Sequence, residues 1–382
     1  MMKIDPRVRD FQQRHYPEVD EGIWTDWRWQ LRHRIRDLEE AERLFTLTES
    51  ERAAIRMRSG MLPLGITPYY AALLDPEDPS HGLRRTKIPT LDEFEVQGDE
   101  CDDPLGEEAH SPVPGLVHTY PDKALFLVTD FCATYCRYCT RARMVGGGEF
   151  LPEKRMWERA LEYIRAHPEI RDVLLSGGDP LILSDRRLDW ILSRLVEIPH
   201  VEFLRIGTKV PAVLPYRITD ELLAVLRKYH PLYFSIHFTH PEELTAEVRE
   251  ACDRLADAGI PTGGQTVLLK GVNDDPEVMK ALNLGLLRVR CKPYYLHQCD
   301  PIRGSAHFRT TVRKGQDLIR SLHGHTTGYA VPTYMVDTAG GGGKVPVGPE
   351  YIASRDGDYL RLKNYRGEET RYWDPLDGSP LL

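Results

Sequence analysis

The sequence predicts an α/β fold of six consecutive strand–helix units, with a helical region before them and mixed helix and loop after them. Three observations lead there. Short apolar runs alternate with helix-period segments from Ala124 to Leu296. The first hundred residues are charged and helical in pattern. Between the two lies a stretch from Pro76 to Pro114, dense in Asp, Glu, Pro and Gly, which reads as loop and boundary.

In the leading region Trp24, Trp27, Leu31, Ile35 and Leu38 recur at three- to four-residue spacing, as one apolar helix stripe does. Strands are expected at 124–129 (ALFLVT), 172–175 (DVLL), 201–207 (VEFLRIG), 232–237 (LYFSIH), 265–269 (QTVLL) and 291–296 (CKPYYL). Between them Met156, Ala160, Leu161 and Ile164 form one helical stripe. Leu188, Ile191, Leu192, Leu195 and Val196 form another, with Ser184 as N-cap. Val248, Cys252, Leu255 and Ala256 form a third, closed by Gly259. Strands separated by helices pair in parallel through right-handed crossovers. A barrel or a doubly wound sheet satisfies this equally, and both place ligands beyond the C-terminal strand ends.

The net charge of −8 gives no overall basic field, so nucleic acid is not an expected partner. No apolar run approaches the ~18 residues of a membrane helix. The opening MMKIDPRVRDFQQRH has no apolar core to act as a signal peptide. Seven cysteines at irregular spacing make no disulfide framework. A cytoplasmic, reducing location is expected.

Cys132, Cys136 and Cys139 follow the first strand with spacing C-x3-C-x2-C. Three thiolates in one loop can converge on a soft metal centre. Zinc would want a fourth Cys or His nearby, and none follows. A 4Fe–4S cluster held by three cysteines leaves one iron open. Buried structural cysteines are the bland alternative, a poor one for three in a polar loop beside Arg137 and Arg141. The second strand ends in Ser176-Gly177-Gly178-Asp179, where adjacent glycines admit a close ligand and Asp can accept from an ammonium. In isolation this would be an ordinary turn. Gly340 to Gly343 precede Lys344. Four glycines suit a loop that wraps an anion or moves, and an amine after them is a candidate Schiff-base former. Read alone, a flexible surface loop ending in a solvated lysine would fit better. It is not a phosphate loop, because Val345 follows the lysine.

The cysteine spacing resembles that of the radical S-adenosylmethionine (SAM) enzymes, whose usual fold is a partial barrel of six strand–helix units. Over nearly its whole length the chain resembles the lysine 2,3-aminomutase family, through WTDWRWQLRHRI, LPLGITPYYAALLDPEDP, SPVPG, VLLSGGDPL, PYYLHQCD, HFRT, GHTTGYAVPTYMVD and GGGGK. The resemblance implies a helical region over 1–114, a radical SAM partial (β/α)6 barrel over 115–300 and a C-terminal region over 301–382 that binds pyridoxal 5′-phosphate (PLP). It implies an isomerase that moves the α-amino group of free L-lysine to the β-carbon. Cys132, Cys136 and Cys139 would hold the 4Fe–4S cluster. Ser176, Gly177, Gly178, Asp179, His237 and Gln265 would contact SAM. Lys344 would carry PLP, with Lys123 on its phosphate. Arg141 would pair with the substrate carboxylate, and Asp300 and Asp337 with the distal ammonium.

A reductant such as flavodoxin or ferredoxin and a homo-oligomer are further implications. The chain departs from the family pattern at several points. Thr119 replaces a basic residue, Asp275 replaces a zinc-ligand cysteine, and a later cysteine pair is missing, so structural zinc is not expected. Pro301-Ile302-Arg303-Gly304 and Thr338-Ala339 also differ from it. Arginine or another cationic amino acid therefore stays open as substrate. A mutase for a protein-attached lysine is a competing reading, against which the two aspartates and the GGGGK loop favour a free amino acid. Non-catalytic readings are an iron–sulfur electron-transfer protein, for which Lys344 would be superfluous, and a zinc-binding interaction module, which lacks a fourth ligand.

Overall fold

The computed structural model describes residues 3–57, 62–147 and 153–375. All six expected strands form, as β2 (Lys123–Thr129), β3 (Asp172–Gly177), β4 (Phe203–Thr208), β5 (Leu232–His237), β6 (Thr262–Leu268) and β7 (Lys292–Gln298). A short β1 (Leu116–Tyr120) precedes them, antiparallel to β2. The sheet order follows the sequence from β1 to β9, and every pair from β2·β3 to β7·β8 is parallel.

The tail departs from the expected helix and loop. β8 (Thr333–Thr338) adds a seventh parallel strand, and β9 (Gly343–Pro346) returns antiparallel to it. β10 (Ile352–Asp356), β11 (Tyr359–Lys363) and β12 (Glu369–Trp373) make a separate antiparallel sheet. β8 has only three consecutive apolar residues, Tyr334, Met335 and Val336, and ends in Asp337 and Thr338 at a cavity, so it gives little strand signal. The two edges of the barrel sheet meet where the Lys344 N–H donates to the Tyr120 hydroxyl at 2.8 Å. The barrel is nearly closed by a side chain rather than by a strand ladder.

The crossover helices bury most of each expected stripe, but Met156 and Ala256 are half-buried, Val196 is exposed, and Trp157 takes the buried place beside Met156. Trp157, Ala160, Leu161 and Ile164 are buried in the helix Lys154–Ala166, and Val248, Cys252 and Leu255 in Ala246–Asp257. Ser184 precedes the helix Asp185–Val196, but its side chain makes no cap bond. The tryptophan stripe of the leading region is not one helix. Asp20, Asp26 and Asp37 each accept from a backbone N–H and start a new short helix, Glu21–Trp24, Trp27–Arg32 and Leu38–Leu44. These pieces wrap the barrel, and one apolar cluster runs from Ile4 and Trp24 through Phe126 and Phe234 to Leu286. Among the described residues no helix is long and apolar enough to cross a membrane.

Candidate active site

The cysteine loop leaves the C-terminal end of β2 and is shaped by the leading region. Arg34 donates to the Cys132 carbonyl at 2.8 Å and stacks on Phe131. The Tyr135 and Arg137 amides donate to the Gly65 and Thr86 carbonyls. The buried Arg137 guanidinium pairs with Glu93 at 2.5 Å and donates to the Leu62 and Pro63 carbonyls. All three thiols are free. Burial pushes the Cys132 thiol far up, helped by the charges of Asp179, Cys139 and Cys136. Burial likewise lifts Cys139 to about 11. At Cys136 burial acts the same way, but Lys87 and Lys209 outweigh it and bring the thiol below its ordinary value.

The three sulfurs thus sense one another. Yet among the described residues no three Cys, His, Asp or Glu side chains close around a single ion. Cysteine thiolates in one loop are the ligand type that iron–sulfur clusters take. Asp275 caps the helix Pro276–Arg288 through the Glu277 and Val278 amides.

The glycine loop after β3 packs on the base of the cysteine loop. Gly177 has φ 115°, and a Cβ there would lie 2.2 Å from the Thr129 carbonyl oxygen. A Cβ on Gly178 would lie 2.4 Å from that of Phe131. The Gly178 and Asp179 amides donate to those same carbonyls. The glycines are therefore needed for close approach of two backbones. Asp179 is buried, and its carboxylate accepts from Thr208 Oγ1 at 2.7 Å and from the Leu181, Lys209 and Val210 amides. Its described contacts go to Thr208 and to the backbone just after β3 and β4. The Ser176 hydroxyl accepts from Arg141 Nη1 at 3.4 Å.

Across the C-terminal ends of β5 to β8 and the N-terminal end of β9 runs a file of polar side chains. His237 and Gln265 are paired in register on β5 and β6. His237 lies 3.2 Å from the Tyr138 hydroxyl, and burial holds its pKa far below the usual histidine value. His297 Nε2 is 3.2 Å from Gln265 Oε1, and its Nδ1 is 3.4 Å from Asp337. Lys344 Nζ donates to the other oxygen of Asp337 at 2.5 Å. His297 carries no expectation from sequence. Its signal is strand alternation, which sets Tyr295 and His297 on one face of β7.

A cavity of about 490 Å³ opens beside this file. Lys344, Asp337, Arg141 and Lys123 line it, with Thr119 and Tyr120. Asp300 lies outside that lining but feels the charges of Asp337, Lys344 and Arg141. Burial first, then the Asp337 charge, raises the Asp300 carboxyl to about 7. Burial also works against Asp337, but His297 and Lys344 overcome it and hold that carboxyl at about 2. Arg141 is gripped by Glu107, with Nη2 2.6 Å from Oε1 and Nε 3.1 Å from both oxygens. Glu107 sits in the stretch that the sequence reads as loop, and no local pattern marks it. The glycine run is the β8–β9 turn, with positive φ at Gly340, Gly341 and Gly343. It is packed rather than open: a Cβ on Gly341 would lie 2.3 Å from the His110 ring.

A parallel barrel with three cysteines in the loop after β2, and a lysine-lined cavity at the same sheet, is the arrangement expected of a radical SAM enzyme. The Radical SAM superfamily profile matches residues 126–282, and the lysine-2,3-aminomutase profile matches residues 319–380. The L-lysine 2,3-aminomutase of Clostridium subterminale is 48% identical over 96% of this chain and 88% of its own. That of Methanococcus maripaludis is 49% identical over 93% of this chain and 82% of its own. The glutamate 2,3-aminomutase of Clostridioides difficile is 43% identical over 93% and 84%. The chain belongs to the lysine 2,3-aminomutase family, whose members are radical SAM isomerases.

Proposed function

We propose that this chain is a PLP-dependent 2,3-aminomutase for a free cationic amino acid, lysine first. One observation carries the reading. The cavity offers Arg141 to a carboxylate and Asp337 to an ammonium, and the chain's own Glu107 and Lys344 occupy those two partners. An amino acid with a distal cation presents the same two charges. Asp300 would supply the second carboxylate for the distal ammonium.

The donor set fits the cofactors of the family. Cys132, Cys136 and Cys139 would hold the cluster. Ser176, Gly177, Gly178, Asp179, His237 and Gln265 would form the SAM side. Lys344 would hold PLP, in a cavity of a size typical for small ligands. Lys123, over the Tyr120 ring at the cavity wall, would face its phosphate. When bound, the cluster and SAM would supply a carbon radical that abstracts hydrogen, and PLP would supply a conjugated system that stabilises unpaired electron density while the nitrogen passes from the α- to the β-carbon.

The protein's part is holding and exclusion. Arg141 orients the carboxylate through a planar fork, with Glu107 as the group to be exchanged. Asp337 and Asp300 fix the far end, so the α- and β-carbons rest between them. His297 steadies Asp337 from the side opposite Lys344. The near-closed barrel keeps water from a radical that attacks most C–H bonds.

The test is a substrate panel. The anaerobically reconstituted chain is incubated with lysine, arginine, ornithine and glutamate, and β-isomers are resolved by chromatography. Lysine is expected to react fastest. Turnover of glutamate alone would overturn the carboxylate assignment. Borohydride should trap PLP on the wild type and not on Lys344→Ala.

A further inference from the structure

Lys87 is a buried cation that the roles above leave unused. It follows the short helix Gly82–Arg85 and is 1% exposed. Its Nζ donates to Cys136 Sγ at 3.0 Å and sits 5.0 Å from the centre of the Tyr70 ring. Among the described contacts that sulfur is its one hydrogen-bond acceptor. The nearby carboxylate, Glu243, is already claimed by Lys209 at 2.7 Å and by the Tyr70 hydroxyl at 2.7 Å. An ammonium buried without an anion is costly. A neutral thiol is only a weak acceptor. The placement makes sense if the sulfur carries the electron density of a metal-bound thiolate. Neither Cys132 nor Cys139 has a charged side-chain donor on its sulfur among the described contacts.

We propose that Lys87 is a positioning residue of the iron–sulfur cluster, whose N–H···S bond to Cys136 orients that ligand and raises the cluster's reduction potential. This rests on the reading of the three cysteines as cluster ligands. Outer partners of a ligand fix its orientation. Iron–sulfur potentials respond to net charge and to hydrogen bonds on the sulfurs. A cation beside one sulfur stabilises the reduced, more negative cluster more than the oxidised one. The bond also makes the three ligands unequal, with Cys136 the one held by a charge.

The test reads the potential rather than turnover. Lys87→Met removes the charge at similar side-chain length, and Lys87→Gln keeps a donor without it. Each full-length chain is reconstituted with iron and sulfide, assayed for both, and titrated with dithionite and mediators under EPR, without SAM. At the wild-type midpoint the ratio of reduced to oxidised cluster should fall about tenfold in Lys87→Met, a shift of about 59 mV to more negative potential. Lys87→Gln should fall between. In native protein labelled with nitrogen-15 lysine, pulsed EPR of the reduced cluster should show a lysine nitrogen coupling, a measurement that needs no variant. Equal potentials in loaded wild type and Lys87→Met overturn the proposal alone, as does absence of the native coupling or its persistence in Lys87→Gln. A wild type that takes up no cluster overturns the ligand reading, and this proposal with it.

Discussion

Asp300 and Asp337 carry the same side chain and titrate at opposite ends of the range. Asp337 stays ionised because His297 and Lys344 donate to it, whereas Asp300 is buried beside a like charge. The sign for Asp300 is set by its raised value: the folded chain holds the proton more tightly than the unfolded one. Its cost to stability is absent below the ordinary carboxyl range and complete above about 7. Binding a distal ammonium needs the ionised form. The KM of a cationic substrate should therefore fall about tenfold per pH unit as pH rises towards 7, then level off. Asp300→Asn should flatten this slope and leave KM high at all pH values. Profiles of kcat/KM for both proteins check this, and a flat wild-type profile below neutrality would count against it.

The β2–β3 junction shows what a motif can do structurally. Gly177 and Gly178 lie where two strand ends and the cysteine loop share one space, so Gly177→Ala forces the carbonyl of Thr129 away and strains a positive φ. It should cost about 2–4 kcal/mol in urea unfolding of the full chain. Gly147→Ala, which meets nothing within 4 Å, should stay within about 0.5 kcal/mol of wild type. Equal stability of the two variants would show that the junction can yield. The motif was legible in sequence, but its packing was not. The same division holds for the strands. Those from Lys123 to Gln298 announce themselves as apolar runs, since parallel strands are buried on both faces. β8 does not, because its Tyr-Met-Val centre is short and Asp337 faces the cavity. Lys344 is marked by the glycine run before it and its role by resemblance, whereas Asp337 is marked by resemblance alone. Glu107, His297 and Lys87 are defined only by what the fold brings to them: an arginine, an aspartate and a thiol far away in sequence.

At the scale of the molecule, the leading helices and the barrel behave as one body. Thr67 donates to the Val213 carbonyl, Tyr69 bonds Thr245 and Tyr70 bonds Glu243, each at 2.7 Å and each buried. The most consequential link is Glu93 to Arg137, because it ties the segment before the barrel to the cysteine loop with side chains only 1% and 2% exposed. Removing one partner of such a pair leaves a buried charge and costs about 3–5 kcal/mol. Glu93→Gln should lower stability by that amount and loosen the loop, so cluster uptake should fall as well. The unfolding should nonetheless remain a single transition. Trp24, Trp27 and Trp29 report on the leading region and Trp157 and Trp190 on the barrel helices, so fluorescence samples both parts while far-UV circular dichroism follows the whole chain. Coincident curves, shifted together in Glu93→Gln, are expected from a shared apolar core. Two separated transitions would mean that the barrel stands without its leading helices, and that their contacts with the cysteine loop are local rather than part of the fold's cooperativity.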